Sequence, residues 1–106
     1  MNNAEQEFIH QIAELNRIDQ EGSLIQWSRH AITALVEDGL TRGQIEIALK
    51  ECVVIEDYPH ENRPLPDCLV LAYLVDGVPI HAVVALNFAD KRLFDGLCTV
   101  KGALER

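Results

Sequence analysis

Cations are scarce in this chain: nine Lys and Arg stand against 17 Asp and Glu, for a formal net charge of −8. A phosphate backbone is held by Lys and Arg that displace its counterions, so indiscriminate binding to nucleic acid or to an anionic membrane is excluded. Only a local gathering of Arg29, Arg42, Arg63, Lys91 and Arg92 through folding could hold RNA. Long apolar runs are absent too. There is no stretch of about 18 apolar residues and no N-terminal apolar h-region, which predicts no membrane span, no signal peptide and a cytoplasmic location. Cysteines number three, Cys52, Cys68 and Cys98, with no C-x-x-C spacing. An odd count inside apolar, strand-like runs points to buried free thiols and not to a disulfide framework. The four histidines, His10, His30, His60 and His81, lack H-x-x-x-H spacing, so no metal site is expected. Neither G-x-S-x-G, Walker A nor G-x-G-x-x-G occurs, and no cofactor is implied.

What is present is an ordinary globular composition: 106 residues, 48% hydrophobic and 25% charged. That length supports one core, so residues 1–106 are read as a single domain, with an N-terminal helix within 1–22 and an α+β body over 23–106. Phe8, Ile9, Ile12, Leu15 and Ile18 form an i, i+4, i+7 stripe, which predicts a first helix over 4–18 with His10 on its solvated side. Ser23 and Ser28 both suit the cap of a second helix, whose stripe Leu24, Trp27, Ala31 and Leu35, or the neighbouring Ile32 and Val36, would face the core. It ends near Asp38, with Gly39 in the usual left-handed position. Thr41-Arg42-Gly43-Gln44 reads as a capping box opening a third helix that runs to about Lys50.

Cys52 to Ile55 is strongly β-prone and predicts a first strand. A proline-rich surface loop follows, holding Pro59, His60, Arg63, Pro64 and Pro66. Asp76-Gly77 between two apolar runs predicts a hairpin closed by a two-residue turn, with Val75 opposite Val78, Tyr73 opposite Ile80 and Ala72 opposite His81. In that register His81 shares a face with Val70, Leu74 and Val83, and neither face looks wet. Helices should then cover one face, and a helix, subunit or partner protein the other. Arg92 to Val100 predicts a last strand, bulged at Asp95-Gly96. The whole is two to three N-terminal helices packed on a four-stranded antiparallel meander.

His81, on an apolar strand face, needs a partner or costs roughly 1–3 kcal/mol of lost hydration. It is read as a core histidine bonded to a neighbour or as a general acid or base at a cleft mouth. His30, in the first turns of the second helix, is a half-exposed helical residue or the other half of a histidine pair. Two such rings suit RNA cleavage without metal, one taking the 2′-hydroxyl proton and one protonating the leaving oxygen. Arg63 and Tyr58 would stabilise the phosphorane, and Arg29 would contact substrate. The alternative is a non-enzymatic module that binds a partner protein or a second copy of itself through the second apolar face.

Ser28-Arg29-His30-Ala31, Gly39-Leu40-Thr41, Val53 to Pro59, Gly77 to Val84 and Cys98-Thr99-Val100 together resemble a family of small bacterial domains of unknown function. Its pattern is a helix H-A-x-x-R-M-x-x-R-G-I, a capped second helix, and a meander with G-x-P-L-H-V-V-V that ends in I-T-V-Y. The resemblance spans about residues 24–101. It implies a relationship to the RelE-like, barnase-and-colicin type of ribonuclease toxin, metal-independent and neutralised by an antitoxin-like protein. His30 and His81 match the motif histidines. The family's two arginines fall on Ala34 and Asp38, and Lys101 replaces its terminal tyrosine, as in a degenerate relative.

Overall fold

The computed structural model describes residues 3–18, 24–58 and 65–100, with side chains of the last strand described through Gly96. Helix α1 (Asn3–Ile18) comes first, then strand β1 (Ile25–Trp27), helix α2 (Arg29–Glu37) and helix α3 (Arg42–Ala48), which tightens into a 3₁₀ turn (Leu49–Glu51). Strands β2 (Val53–Tyr58), β3 (Asp67–Tyr73), β4 (Pro79–Asn87) and β5 (Arg92–Val100) complete the chain. The architecture is α+β, with three helices and one mixed sheet of five strands in the order β1-β5-β4-β3-β2. No described helix is long and apolar enough to cross a membrane.

The fifth strand is the departure from the expected four. Trp27, expected on a helical stripe, is a strand residue, and Ile25 and Trp27 pair in parallel with Leu93 and Asp95 of β5. Three residues carry too little periodicity to betray a strand whose partner lies near the other end of the chain. Helix α2 therefore starts at Ser28 and not at Ser23. Ser28 Oγ accepts from Ala31 N at 2.9 Å as N-cap and donates to Gly96 O at 3.0 Å, while Ser28 N donates to Asp95 O at 3.0 Å. One residue thus ends a strand, opens a helix and holds both to β5.

Other local signals behave as expected. Gly39 has φ +70 after α2. Thr41 and Gln44 bond reciprocally, Gln44 N donating to Thr41 Oγ1 at 3.3 Å and Thr41 N to Gln44 Oε1 at 2.8 Å. The register of β4 against β5 shifts at Val83/Val84, leaving Gly96 as the extra residue.

The hairpin turn differs. Leu74 N donates to Val78 O at 2.9 Å and Gly77 N to Leu74 O at 2.8 Å, so the loop is Val75-Asp76-Gly77, three residues with Gly77 at φ +88. Asp76 Oδ1 accepts from Val78 N at 3.1 Å. A side-chain turn of this kind favours a three-residue loop with a left-handed glycine over the two-residue form. The register moves by one: Ala72 pairs with Ile80 and Leu71 with His81. Because strand side chains alternate, that single step exchanges the faces of one strand relative to the other.

Cys68, Val70, Ala72 and Leu74 consequently share a face with Ile80, Ala82, Val84 and Leu86, and all are buried. Against them pack Ile9, Ile12 and Ala13 of α1, Leu35 of α2, Ile45 and Ala48 of α3, and Leu49. Each large aliphatic side chain so buried contributes roughly 1.5–3 kcal/mol. Cys52 and Cys68 are buried free thiols, each pushed up to about 12 by burial, which suppresses the thiolate. The side chain of Cys98 lies outside the described ones.

Two substitutions test this frame by urea denaturation. Gly77→Ala meets no atom within 4 Å, so its cost is conformational only, about 1–2 kcal/mol for a left-handed φ. Ser28→Ala is expected to cost about 1–2 kcal/mol through the lost cap. Wild-type midpoints would contradict the turn and the cap as described.

Candidate functional site

All three helices bury residues in one core on one side of the sheet, and no described helix covers the other side. On that open face Leu69, Leu71, Val83 and Ala85 are half-buried, while Tyr73 is 59% and Phe94 40% exposed. The helical cover expected on one face is thus present, and it comes from all three described helices.

His81 belongs to the open face. Its neighbours Ile80 and Ala82 point into the core, and across the sheet it pairs with Leu71 on β3 and Thr99 on β5. It is half-buried, away from the helical layer and from Val70 and Leu74, which the one-residue register step sends inward. β4 is the central strand of the sheet, so His81 stands in its middle, between β3 and β5.

His30 is exposed in the first turn of α2, beside the exposed Arg29. The two bonds from Ser28 to β5 set this turn at the strand's edge, so β5 stands between His30 and the strand that carries His81. No hydrogen bond joins the two rings among the described residues, and they do not meet across the helix-sheet packing. Tyr58 ends β2, half-buried and paired with Asp67. Arg63 lies outside the described residues. Among the predicted site residues, His81 and Tyr58 both lie on the sheet but in different rows, His81 with Leu71 and Tyr58 with Asp67 and Ala85, while His30 and Arg29 stand at its margin.

A second polar cluster lies where α1 crosses the edge strand β2, and sequence pattern alone gave no hint of it. Gln6 Oε1 accepts from Val54 N at 3.0 Å, and His10 Nε2 donates to Cys52 O at 2.7 Å. His10 is therefore half-buried and committed to backbone, where the helical stripe placed it in solvent. Glu5 and Asp57 share a side-chain hydrogen bond, and burial together with that neighbour raises Glu5 to about 7. Two carboxyl groups can bond to each other only with a proton between them. These contacts satisfy and shield a sheet edge that would otherwise offer free backbone groups.

A groove of about 540 Å³ lies elsewhere, along α1 beside His10, Glu14, Leu15 and Lys50. Its charges are spent: Arg17 and Lys50 bond Glu14 at 2.7 and 3.2 Å and hold it down at about 2. With His10 also engaged, no group there is poised for chemistry. The described residues include no group of three or more His, Cys, Asp or Glu able to hold a metal ion.

Fold and open face define a small α+β domain with its helices on one side of the sheet and a half-buried histidine on the other. The chain belongs to the family described as a domain of unknown function, DUF4258, whose model matches residues 27–93, from the end of β1 into β5. Both motif histidines fall inside that span. No curated protein and no solved structure matches the chain.

The Glu5–Asp57 contact makes a pH prediction. A carboxyl raised from 4.5 to about 7 in the folded state contributes stability that is fully present below pH 4.5 and is lost as pH rises through 7. Glu5→Gln should therefore be more stable than wild type above pH 7, the difference shrinking toward pH 4.5. Parallel stability curves for the two proteins would remove the shared proton.

Proposed function

We propose that this chain is a toxin-like domain acting on RNA at its open sheet face, without a metal ion. The observation that carries the reading is the placement of His81: half-buried on the face that no described helix covers, at the middle of the sheet and not in the core. A neutral imidazole there can take the 2′-hydroxyl proton as the oxygen attacks the adjacent phosphorus. The bond from phosphorus to the 5′-oxygen breaks, and that oxygen takes its proton from water, because His30, the histidine expected for this step, sits at the sheet margin with β5 between it and His81. The products are a 2′,3′-cyclic phosphate and a 5′-hydroxyl end. Arg63, Arg29 and Tyr58 are assigned to the phosphate and the developing charge. At a net charge of −8, contact with RNA depends on those few cations, so log affinity falls with log salt by only about 0.7 for each phosphate held.

A second reading is favoured by the apolar centre of the same face, Leu69, Leu71, Val83 and Ala85. It docks a partner protein there, of the antitoxin-like kind. The surplus of carboxylates suits a basic partner better than a second copy of this chain, which would bring the same charge.

The test is incubation with total RNA in EDTA. Wild type should yield 5′-hydroxyl fragments, and His81→Ala should lower the rate at least about 100-fold, the usual share of one acid-base group. Equal fragmentation by both proteins would sink the assignment of His81. Light scattering adds the second arm: a dimer dissociated by Leu71→Asp would give the face to self-association.

A further inference from the structure

One end of the open face carries a pocket that the reading above leaves unused. It occupies about 150 Å³ between β1, β5 and the β4–β5 turn, and is lined by Gln26, Leu65, Asn87, Asp90, Arg92 and Phe94. Sheet register explains why these side chains meet. Gln26 pairs with Phe94, Phe94 with Ala85, and Arg92 with Asn87, so all project from the same face as His81. Phe94 is 40% exposed, and Ala85 opposite it is too small to cover the ring.

The polar groups are unequal in what they have left to offer. Asn87 and Asp90 bind each other, Asn87 Nδ2 donating to Asp90 Oδ2 at 3.1 Å and Asp90 N to Asn87 Oδ1 at 2.9 Å. That mutual bond occupies the one carboxylate in the pocket and steadies the turn. Gln26 makes no hydrogen bond and Arg92 no ion pair among the described residues, and both are exposed. An uncovered aromatic ring, an unspent amide with both donor and acceptor, and an unspent guanidinium therefore converge. Drug-sized ligands fill pockets of roughly 300–1,000 Å³, so this one suits a single planar ring.

Resting on the RNA reading above, we propose that this pocket holds one unpaired base of single-stranded RNA. The base stacks on Phe94, Gln26 bonds its edge, and Arg92 takes the adjoining phosphate. Every base has a π-face, which makes aromatic stacking a sequence-tolerant anchor, while an amide side chain adds preference through hydrogen bonds. His81 lies four residues along β4 from Ala85, roughly 13 Å at about 3.3 Å per residue. A short single strand lying along β4 would thus join the anchor to the histidine. Lys91, at φ +55 beside Arg92, adds a second cation at the entry end.

The experiment is fluorescence anisotropy of the full chain with a labelled eight-nucleotide RNA, 2′-O-methylated so that it cannot be cleaved. Wild type should bind it, and Phe94→Leu, which keeps an apolar side chain but removes the ring, should weaken binding roughly ten-fold. Arg92→Gln should flatten the slope of log affinity against log salt by about 0.7, the value of one single-strand phosphate. A duplex of the same sequence should compete poorly, because its bases are not free to enter the pocket. Unchanged urea midpoints for both variants would tie these losses to the site. If wild type binds or cleaves RNA and Phe94→Leu binds equally well, or the duplex competes equally, the pocket assignment is overturned and the His81 reading stands. If wild type neither binds nor cleaves any RNA, both fall.

Discussion

The three-residue reversal at Val75-Asp76-Gly77 is the constraint on which the rest of this structure depends. With Gly77 left-handed and Asp76 bonded to Val78 N, Ala72 lies opposite Ile80, and eight buried side chains of β3 and β4 fall on one face. Three helices then find a continuous apolar surface to cover. The same register turns His81 outward. A site on the open face and a core on the covered one are two results of a single loop length.

Much of this was legible in the residues. Helices α1 and α3, the left-handed Gly39, the Thr41 box and the bulge at Gly96 each follow from local chemistry, because a cap or a glycine acts within a few residues of itself. What local pattern could not supply was pairing. The Asp76-Gly77 signal identifies a hairpin but does not distinguish a two-residue from a three-residue loop, and when both strands are apolar on both faces the alternation cannot correct the choice. β1 was hidden for a related reason: Leu24, Trp27, Ala31 and Leu35 have helical spacing although Trp27 is strand and Ala31 helix. The boundary is drawn by Ser28, whose bonds to Asp95 and Gly96 are visible only once β5 is in place.

The candidate site divides along the same line. His81 stands out in sequence as a polar residue in an apolar run, and the family motif marks it together with His30. Gln26 lies 66 and 68 positions before Arg92 and Phe94, and all three look like ordinary surface residues until β1 pairs in parallel with β5. Likewise Glu5 and Asp57 become neighbours only when α1 closes over the edge of β2. Residues whose role comes from a non-local pairing leave no periodic trace.

The parallel partnership of β1 and β5 also governs the order in which the molecule can be completed. Its two members lie far apart in the sequence, Ile25 opposite Leu93, so β5 must leave the ribosome before this margin of the sheet can form. Closing so wide a loop costs entropy before any contact repays it, and domains wired this way fold more slowly than helical bundles of equal size. Until then the start of α2 lacks its anchor and the aliphatic faces of β3 and β4 remain without their last neighbour. The nascent protein is thus most exposed to aggregation in the interval before β5 docks.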